Sequence, residues 1–361
     1  MRIAYWSTAC LEPRLEAVSK EVLGLARGFP GSWVFSVSKH FLARFSPLDA
    51  CAGVNARMAG LLRLVAPVLE RAFDISHVYG DMTPWVYHKS LRHRPLIHTV
   101  TQDSGQPVVE FLARCSAVVA QTDATLDRLL SCGVPKHRAY LKYPGVDLKR
   151  FVPARSRVPD SRSPRVLFST SPRTAEELEP RGVFVLLDAA MQARRASFRL
   201  LYRRWNGAYT SLEPTRQAVL ARGISNVEVV DAVVDDISAE YQRSDFTVIP
   251  FTQRTGGKEC PNSAIESLAC GVPVLISREC PFARFVEEHS CGVAFDPSPE
   301  GLVAAVEEGL SRWSDLSIAA RRVAEEHFDA ARLLAFYRSL YEREAMRRHA
   351  HAGPHVVPSR E

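Results

Sequence analysis

The sequence predicts an α/β protein of two α/β/α domains, similar in size, facing a central cleft. Three observations predict it. Short apolar runs alternate with helical patterns along the chain, the pattern of parallel sheets covered on both faces. The alternation breaks at 153–164, where Ala, Arg, Ser, Val, Pro and Asp show no period, and then restarts. The length, 361 residues, is that of roughly two domains.

The elements follow in order. Arg2–Ser7 reads as a first strand, Leu15–Arg27 as an amphipathic helix and Trp33–Val37 as a second strand. Asn55–Phe73 is helical, with Met58, Leu61, Leu62, Leu64, Val65, Val68 and Leu69 on a broad apolar stripe that is expected to pack on the sheet. Ile75–Tyr79, Leu96–Val100 and Ala117–Ala120 read as buried strands. After the break, strands are expected at Arg165–Thr170, Phe198–Tyr202, Val227–Val230, Phe246–Pro250, Val272–Ile276 and Gly292–Phe295. Helices fall around Val183–Ala193, Glu213–Ala221, Ser238–Arg243, Asn262–Ala269 and Pro299–Leu310. The expected organisation is a first domain over 1–152, a linker at 153–164, a second domain over 165–328, a last helix over 329–348 and a polar tail at 349–361.

Composition narrows the class. The 46% hydrophobic and 24% charged residues are those of an ordinary globular protein. Net charge is +6, unevenly placed: residues 1–160 hold 21 Lys+Arg against 13 Asp+Glu, whereas the remainder holds 25 against 27. A basic first half suits an anionic partner, whether an acidic acceptor, a lipid phosphate or a membrane surface. The eight cysteines form no C-x-x-C pair and no Cys/His metal spacing, so reduced thiols and no metal are expected. No run reaches the ~18 apolar residues of a membrane helix, and the chain opens on a strand rather than on a secretion signal. The expected location is cytoplasmic, with peripheral contact at the inner face of the membrane as a second reading. A nucleic-acid partner is not expected.

Residues 256–275 carry the most chemistry. They read as a glycine-bearing loop (Gly256-Gly257-Lys258-Glu259), a helix opened by Pro261 and stopped by Gly271, and a buried strand. A helix N-terminus offers free N–H groups and the positive end of a dipole, which suit a phosphate. Glu266 lies about one turn in, where a carboxylate can accept hydrogen bonds from a vicinal diol such as a ribose. A dehydrogenase, by contrast, would show G-x-G-x-x-G after the first strand, and Arg2–Arg14 contains no glycine.

Four blocks in order resemble the family 4 glycosyltransferases. They are Asp74-Ile75-Ser76-His77-Val78-Tyr79-Gly80; Pro144-Gly145-Val146-Asp147 with Arg150-Phe151; Asn226-Val227-Glu228 with Tyr241-Gln242-Arg243-Ser244-Asp245; and, closest, Glu266-Ser267-Leu268-Ala269-Cys270-Gly271-Val272-Pro273-Val274. The resemblance implies the GT-B fold, two Rossmann-like domains about a cleft. It also implies transfer of a sugar from a nucleotide-sugar donor to a glycan, lipid-linked or small-molecule acceptor, usually with retention and without a metal. No cofactor is implied, since the nucleotide-sugar is a co-substrate. The donor is expected in the second domain and the acceptor in the first, with the last helix crossing back to the first. Alternatives within the same fold are a nucleotide-sugar epimerase, a sugar-phosphate synthase or a non-catalytic binding protein.

Roles follow residue by residue. Glu266 matches the ribose-binding carboxylate. Arg173 and Arg181 stand where the family's Arg and Lys meet the diphosphate, and stabilising charge on a leaving phosphate is a large catalytic term. Backbone N–H groups of Asn262 and Ser263 are expected at the pyrophosphate, with a helix cap as the other reading of Ser263. Lys258 stands eight positions before Glu266, where the family carries a Glu that contacts donor-sugar hydroxyls. It is placed among the catalytic residues, and a Lys there would meet an anionic sugar or a phosphate. Glu259 and Gly257 complete the donor loop. On the acceptor side Arg14 stands where the family usually has glycines, and Gln102 and Asp103 follow a strand whose usual His is missing.

Overall fold

A computed structural model describes residues 1–351 apart from 15, 40–41, 85, 93, 103–104, 155–162, 204–208 and 255, with side chains to Arg347. Most of the expected linker and of the tail therefore lies outside the described residues.

The first sheet has eight strands: β1 (Ile3–Ser7), β2 (Trp33–Ser38), β3 (Ala43–Ser46), β4 (Cys51–Asn55), β5 (Ile75–Asp81), β6 (Leu96–Gln102), β7 (Ala117–Ala120) and β8 (Ala139–Leu141). Their order is β3-β4-β2-β1-β5-β6-β7-β8. All neighbours are parallel except β3, which runs antiparallel to β4 at the edge. The second sheet is wholly parallel: β9 (Arg165–Phe168), β10 (Ser197–Tyr202), β11 (Val227–Asp231), β12 (Phe246–Ile249), β13 (Val274–Ser277) and β14 (Gly292–Phe295), in the order β11-β10-β9-β12-β13-β14. That is the doubly wound order, whose direction of winding reverses between β9 and β12 and leaves a crevice at their carboxyl ends.

Helices α1 (Ala17–Arg27), α2 (Ala59–Leu69), α3 (Val109–Arg114) and α4 (Asp123–Ser131) accompany the first sheet. The second has α5 (Val183–Gln192), α6 (Leu212–Ala221), α7 (Ile237–Gln242), α8 (Asn262–Ala269), α9 (Ala283–Glu288), α10 (Pro299–Ser311) and α11 (Trp313–His327), and the chain continues into α12 (Ala330–His351). The expected fold class holds. The strands β3, β4 and β8 had no expectation: the first two read Ala-Arg-Phe-Ser and Cys-Ala-Gly-Val-Asn, without the continuous apolar run that marks a buried strand.

α12 returns to the first sheet. Its Tyr337 and Tyr341 lie buried among Ile3, Tyr5, Ile75 and Ile97. Tyr341 Oη bonds His77 Nδ1 at 2.6 Å, and His77 Nε2 bonds Thr99 Oγ1 at 2.8 Å. The segment after β8 leans the other way, for Tyr143, Val146 and Phe151 sit in the core of the second domain with Phe285 and Phe328. Val146 and Asp329 form a parallel bridge at this crossing.

One expectation is corrected. The stripe on 55–73 divides: Ala59, Leu62 and Ala66 are buried against the sheet, while Met58, Leu61, Leu64, Val65 and Val68 face solvent. Apolar residues fill positions on both sides of the helix, and a sheet can cover only one side.

Candidate functional site

The cleft holds a cavity of about 660 Å³, lined by loops after β1, β9, β10 and β12, by α1 and by the start of α8. Loops at strand carboxyl ends and a helix N-terminus are the positions where such sheets bind ligands.

α8 begins at Asn262, with Pro261 extended before it (φ −65, ψ 131), and makes no side-chain cap bond. It ends where Gly271 takes φ +67, with Gly271 N–H donating to Leu268 O (2.9 Å) and Val272 N–H to Ser267 O (3.0 Å). This glycine-ended stop frees the chain to enter β13 at once. The cap reading of Ser263 fails. Its hydroxyl is buried with no hydrogen-bond partner, as is that of Thr170, and both residues line the cavity. Two orphaned hydroxyls in residues lining one cavity are unusual and suit a polar ligand.

Glu266 stands one turn into α8 and is 8% exposed. Tyr241 Oη donates to its Oε2 at 3.1 Å, and Lys20 of α1 pairs with its Oε1. Burial, with the Glu266 charge beside it, pushes the Tyr241 phenol well up, so it stays a donor. Arg173 and Arg181 share one brace, Glu177. The Arg173 N–H and Nε donate to it at 2.8 and 2.9 Å, and Arg181 Nε at 3.2 Å. Arg181 also donates to Thr170 O at 3.2 Å. Burial works to raise the Glu177 carboxyl, but the two arginines hold it below its ordinary value. Both guanidinium groups are thus fixed on the cavity wall.

Lys258 lines the cavity with its ammonium between Glu21 Oε1 (2.5 Å) and Asn262 Oδ1 (3.1 Å). Glu21 is itself buried and accepts from Tyr79 Oη (2.7 Å) and Gln121 Nε2 (2.9 Å). Neighbouring residues of α1, Lys20 and Glu21, therefore make ion pairs of opposite sense with Glu266 and Lys258 of the other domain.

Arg14, Gln102, Arg173, Arg181, Gly257, Lys258, Asn262, Ser263 and Glu266 all line this one cavity. Glu259 does not: it is 4% exposed and turned into the first domain, where it accepts from Thr122 Oγ1 (2.8 Å) and Thr125, with Arg254 at 3.6 Å. The loop leaves Lys258, not Glu259, facing the cavity. Asp103 lies outside the described residues. His98 packs away from the cleft on Phe111, its Nε2 3.1 Å from Asp81 O.

Sequence reasoning missed Lys20 and Arg203. Arg203 follows β10 and lines the cavity, its backbone N–H held by Ser171 Oγ at 3.2 Å. Burial lowers its pKa, and Tyr241 and Glu266 act the other way. A signal existed, since Arg203 follows the carboxyl end of a strand, but no motif marked it. Lys20 carries no sequence signal beyond its place on an amphipathic helix. In the lining, cationic side chains outnumber carboxylates two to one: Arg14, Lys20, Arg27, Arg150, Arg173, Arg181, Arg203 and Lys258 against Glu16, Glu177, Asp235 and Glu266. Such a cavity concentrates anions.

Residues 166–312 match the protein family described as Glycosyl transferases group 1. That span lies within the second domain. Solved structures align with nearly the whole chain. HepE from Anabaena, solved with UDP and glucose, aligns at TM-score 0.73 and 14% identity over 95% of this chain and 99% of its own. A glycosyltransferase from Rickettsia africae ESF-5 gives 0.71 and 14% over 95% and 98%. Sucrose-phosphate synthase from Thermosynechococcus elongatus gives 0.71 and 16% over 95% and 99%. No curated protein matches the chain in sequence. The fold is therefore GT-B, with two Rossmann-like domains, and the resemblance read from the ordered motifs holds.

Proposed function

We propose that this protein transfers a sugar from a nucleoside-diphosphate-sugar to an acceptor hydroxyl. One observation carries the reading: Glu266, the two braced arginines and the start of α8 with its orphaned Ser263 hydroxyl converge on a single cavity. A similar fold, HepE, has been solved with UDP-glucose, which supports a nucleotide-sugar as the donor.

In this reading Glu266 accepts from the ribose diol, and Arg173, Arg181 and the N–H groups of Asn262 and Ser263 hold the diphosphate. Lys258 stands toward the transferred sugar. The bond from C1 to the phosphate oxygen breaks as the bond from C1 to the acceptor oxygen forms on the same face. The acceptor proton passes to the leaving phosphate oxygen, so configuration is retained and no protein base is needed. The arginines and the helix end meet the charge on the leaving diphosphate, and no metal is assigned a role. Arg14 and Gln102 stand on the acceptor side, for a glycan, lipid-linked or small-molecule acceptor. The protein would act in the cytoplasm, where nucleotide-sugars are supplied.

A non-catalytic GT-B-like binding protein is the second reading. It is favoured by Lys20 and Glu21, which already engage Glu266 and Lys258. Thermal melts with UDP, GDP, ADP and dTDP test the donor site. One nucleotide should raise Tm in the wild type and lose that effect in Glu266→Ala; no stabilisation by any of the four would sink the reading. Release of nucleotide from the matching sugar donor, with and without acceptors, then separates transferase from binding protein.

A further inference from the structure

The outer face of α2 is apolar where a surface helix ordinarily turns charge to water. Leu64 is 77% exposed and Val68 66%, and Leu61, Met58 and Val65 share their side of the helix. The inner face, by contrast, is seated on the sheet through Leu62 and Ala66. The patch extends to the sheet edge. On β3, Phe45 is 71% exposed and stacks on Trp33 at 5.7 Å, and Trp33 packs against the core that α2 covers.

Along the helix the charge has one sign, while the acids at the β3 edge are paired, Glu12 with Arg44 and Asp49 with Arg27. Residues 50–69 contain no Asp or Glu. Arg57 stands exposed at the start of the helix, Arg63 within it and Arg71 just beyond it. Glu70, the nearest acid at the far end, is turned inward, accepting from Ser76 Oγ (3.2 Å) and the Arg92 N–H (2.9 Å). Arg94 is drawn to the same end, donating to Arg71 O at 2.6 Å.

We propose that α2 and the β3 edge form a membrane-docking surface for anionic phospholipid. The helix lies in the plane of the interface, its leucines and valines entering the boundary between headgroups and acyl chains. The arginines lay their stems along that boundary and reach lipid phosphates. An anionic bilayer meets both halves of the surface, the apolar face and the arginines along α2, without needing a shaped pocket. No helix among the described residues is long and apolar enough to cross a membrane, so this contact would be peripheral.

Co-sedimentation with vesicles tests the proposal on the whole chain without any nucleotide, so it stands apart from the donor-site reading. The wild type should pellet with phosphatidylcholine mixed with phosphatidylglycerol and stay in solution with phosphatidylcholine alone, and added salt should weaken the binding. Leu64→Glu with Val68→Glu should abolish it while melting at the wild-type temperature, since both side chains lie outside the core. Arg57→Ala and Arg71→Ala should each weaken it about fivefold. Three results would overturn the proposal: no binding to acidic vesicles, binding by the double variant equal to that of the wild type, or a wild-type dimer in solution that the double variant splits. The last would make the face a contact between copies of the chain. UDP stabilisation measured on the same samples separates loss of this surface from loss of the donor site.

Discussion

The second domain builds its wall of the cleft from a continuous stretch, residues 256–266, and from loops that leave β9 and β10 at the switch in winding. The first domain builds its wall from α1, the loop after β1 and the end of β6, and holds it with polar groups that are fully buried. His77, Thr99, Tyr337 and Tyr341 form a chain of hydrogen bonds across the sheet face. Glu21 collects Tyr79, Gln121 and, from the other domain, Lys258. The second sheet is mostly Val, Leu, Ile and Phe at the same depth. One wall is therefore set by backbone geometry over an apolar core. The other is set by charges and hydroxyls that must find partners far away in sequence. The first tolerates side-chain substitution away from its ligands, whereas the second is exposed to any change that strands a partner.

The largest expected effect breaks the cross-domain pair. Lys258→Ala leaves the Glu21 carboxylate buried with only its neutral donors, which should cost about 3 kcal/mol in urea unfolding. Adding Glu21→Gln should recover part of that loss; a single substitution that is already neutral would mean the pair carries no stability. Acid should act next, and on the first domain. Burial lowers the His98 pKa from 6.5 to about 4, against a smaller opposing effect of the Asp81 carbonyl, and burial also lowers that of His77. A lowered folded-state pKa means that the unfolded chain binds the proton first. Stability is thus full above pH 6.5 and falls as pH drops toward 4, by about 3 kcal/mol for His98 alone. Melts across that window, with His98→Gln flattening the slope, check the sign. The smallest effect concerns Lys20, which is 36% exposed at its side chain. Lys20→Ala should change stability by less than about 1 kcal/mol yet tighten nucleotide binding in calorimetry, because the ribose diol no longer displaces an ammonium from Glu266. Weaker binding would instead make Lys20 a ligand of the donor.

What could be read in advance follows the same division. The helix Asn262–Ala269, its glycine stop and the place of Glu266 were legible because loop, helix and strand are contiguous, and each obeys a local rule of turn and period. Arg173 and Arg181 were reached only through the family resemblance, and their common brace Glu177 was not foreseen. Glu259 was misplaced by one residue of loop rotation, which exchanges the faces that Lys258 and Glu259 present. Lys20 and Glu21 were not legible at all, for 237 residues separate Glu21 from Lys258.

By itself the sequence determined two largely parallel α/β sheets and the loop, helix and strand of residues 256–275, because apolar period, glycine and proline act over a few residues. Only the tertiary structure decided that α1 closes the cleft with two ion pairs, that Arg203 joins the cavity, and that the outer side of α2 stays uncovered. Each of these depends on which distant surface arrives opposite a side chain, and burial and pairing are fixed only when the two surfaces meet.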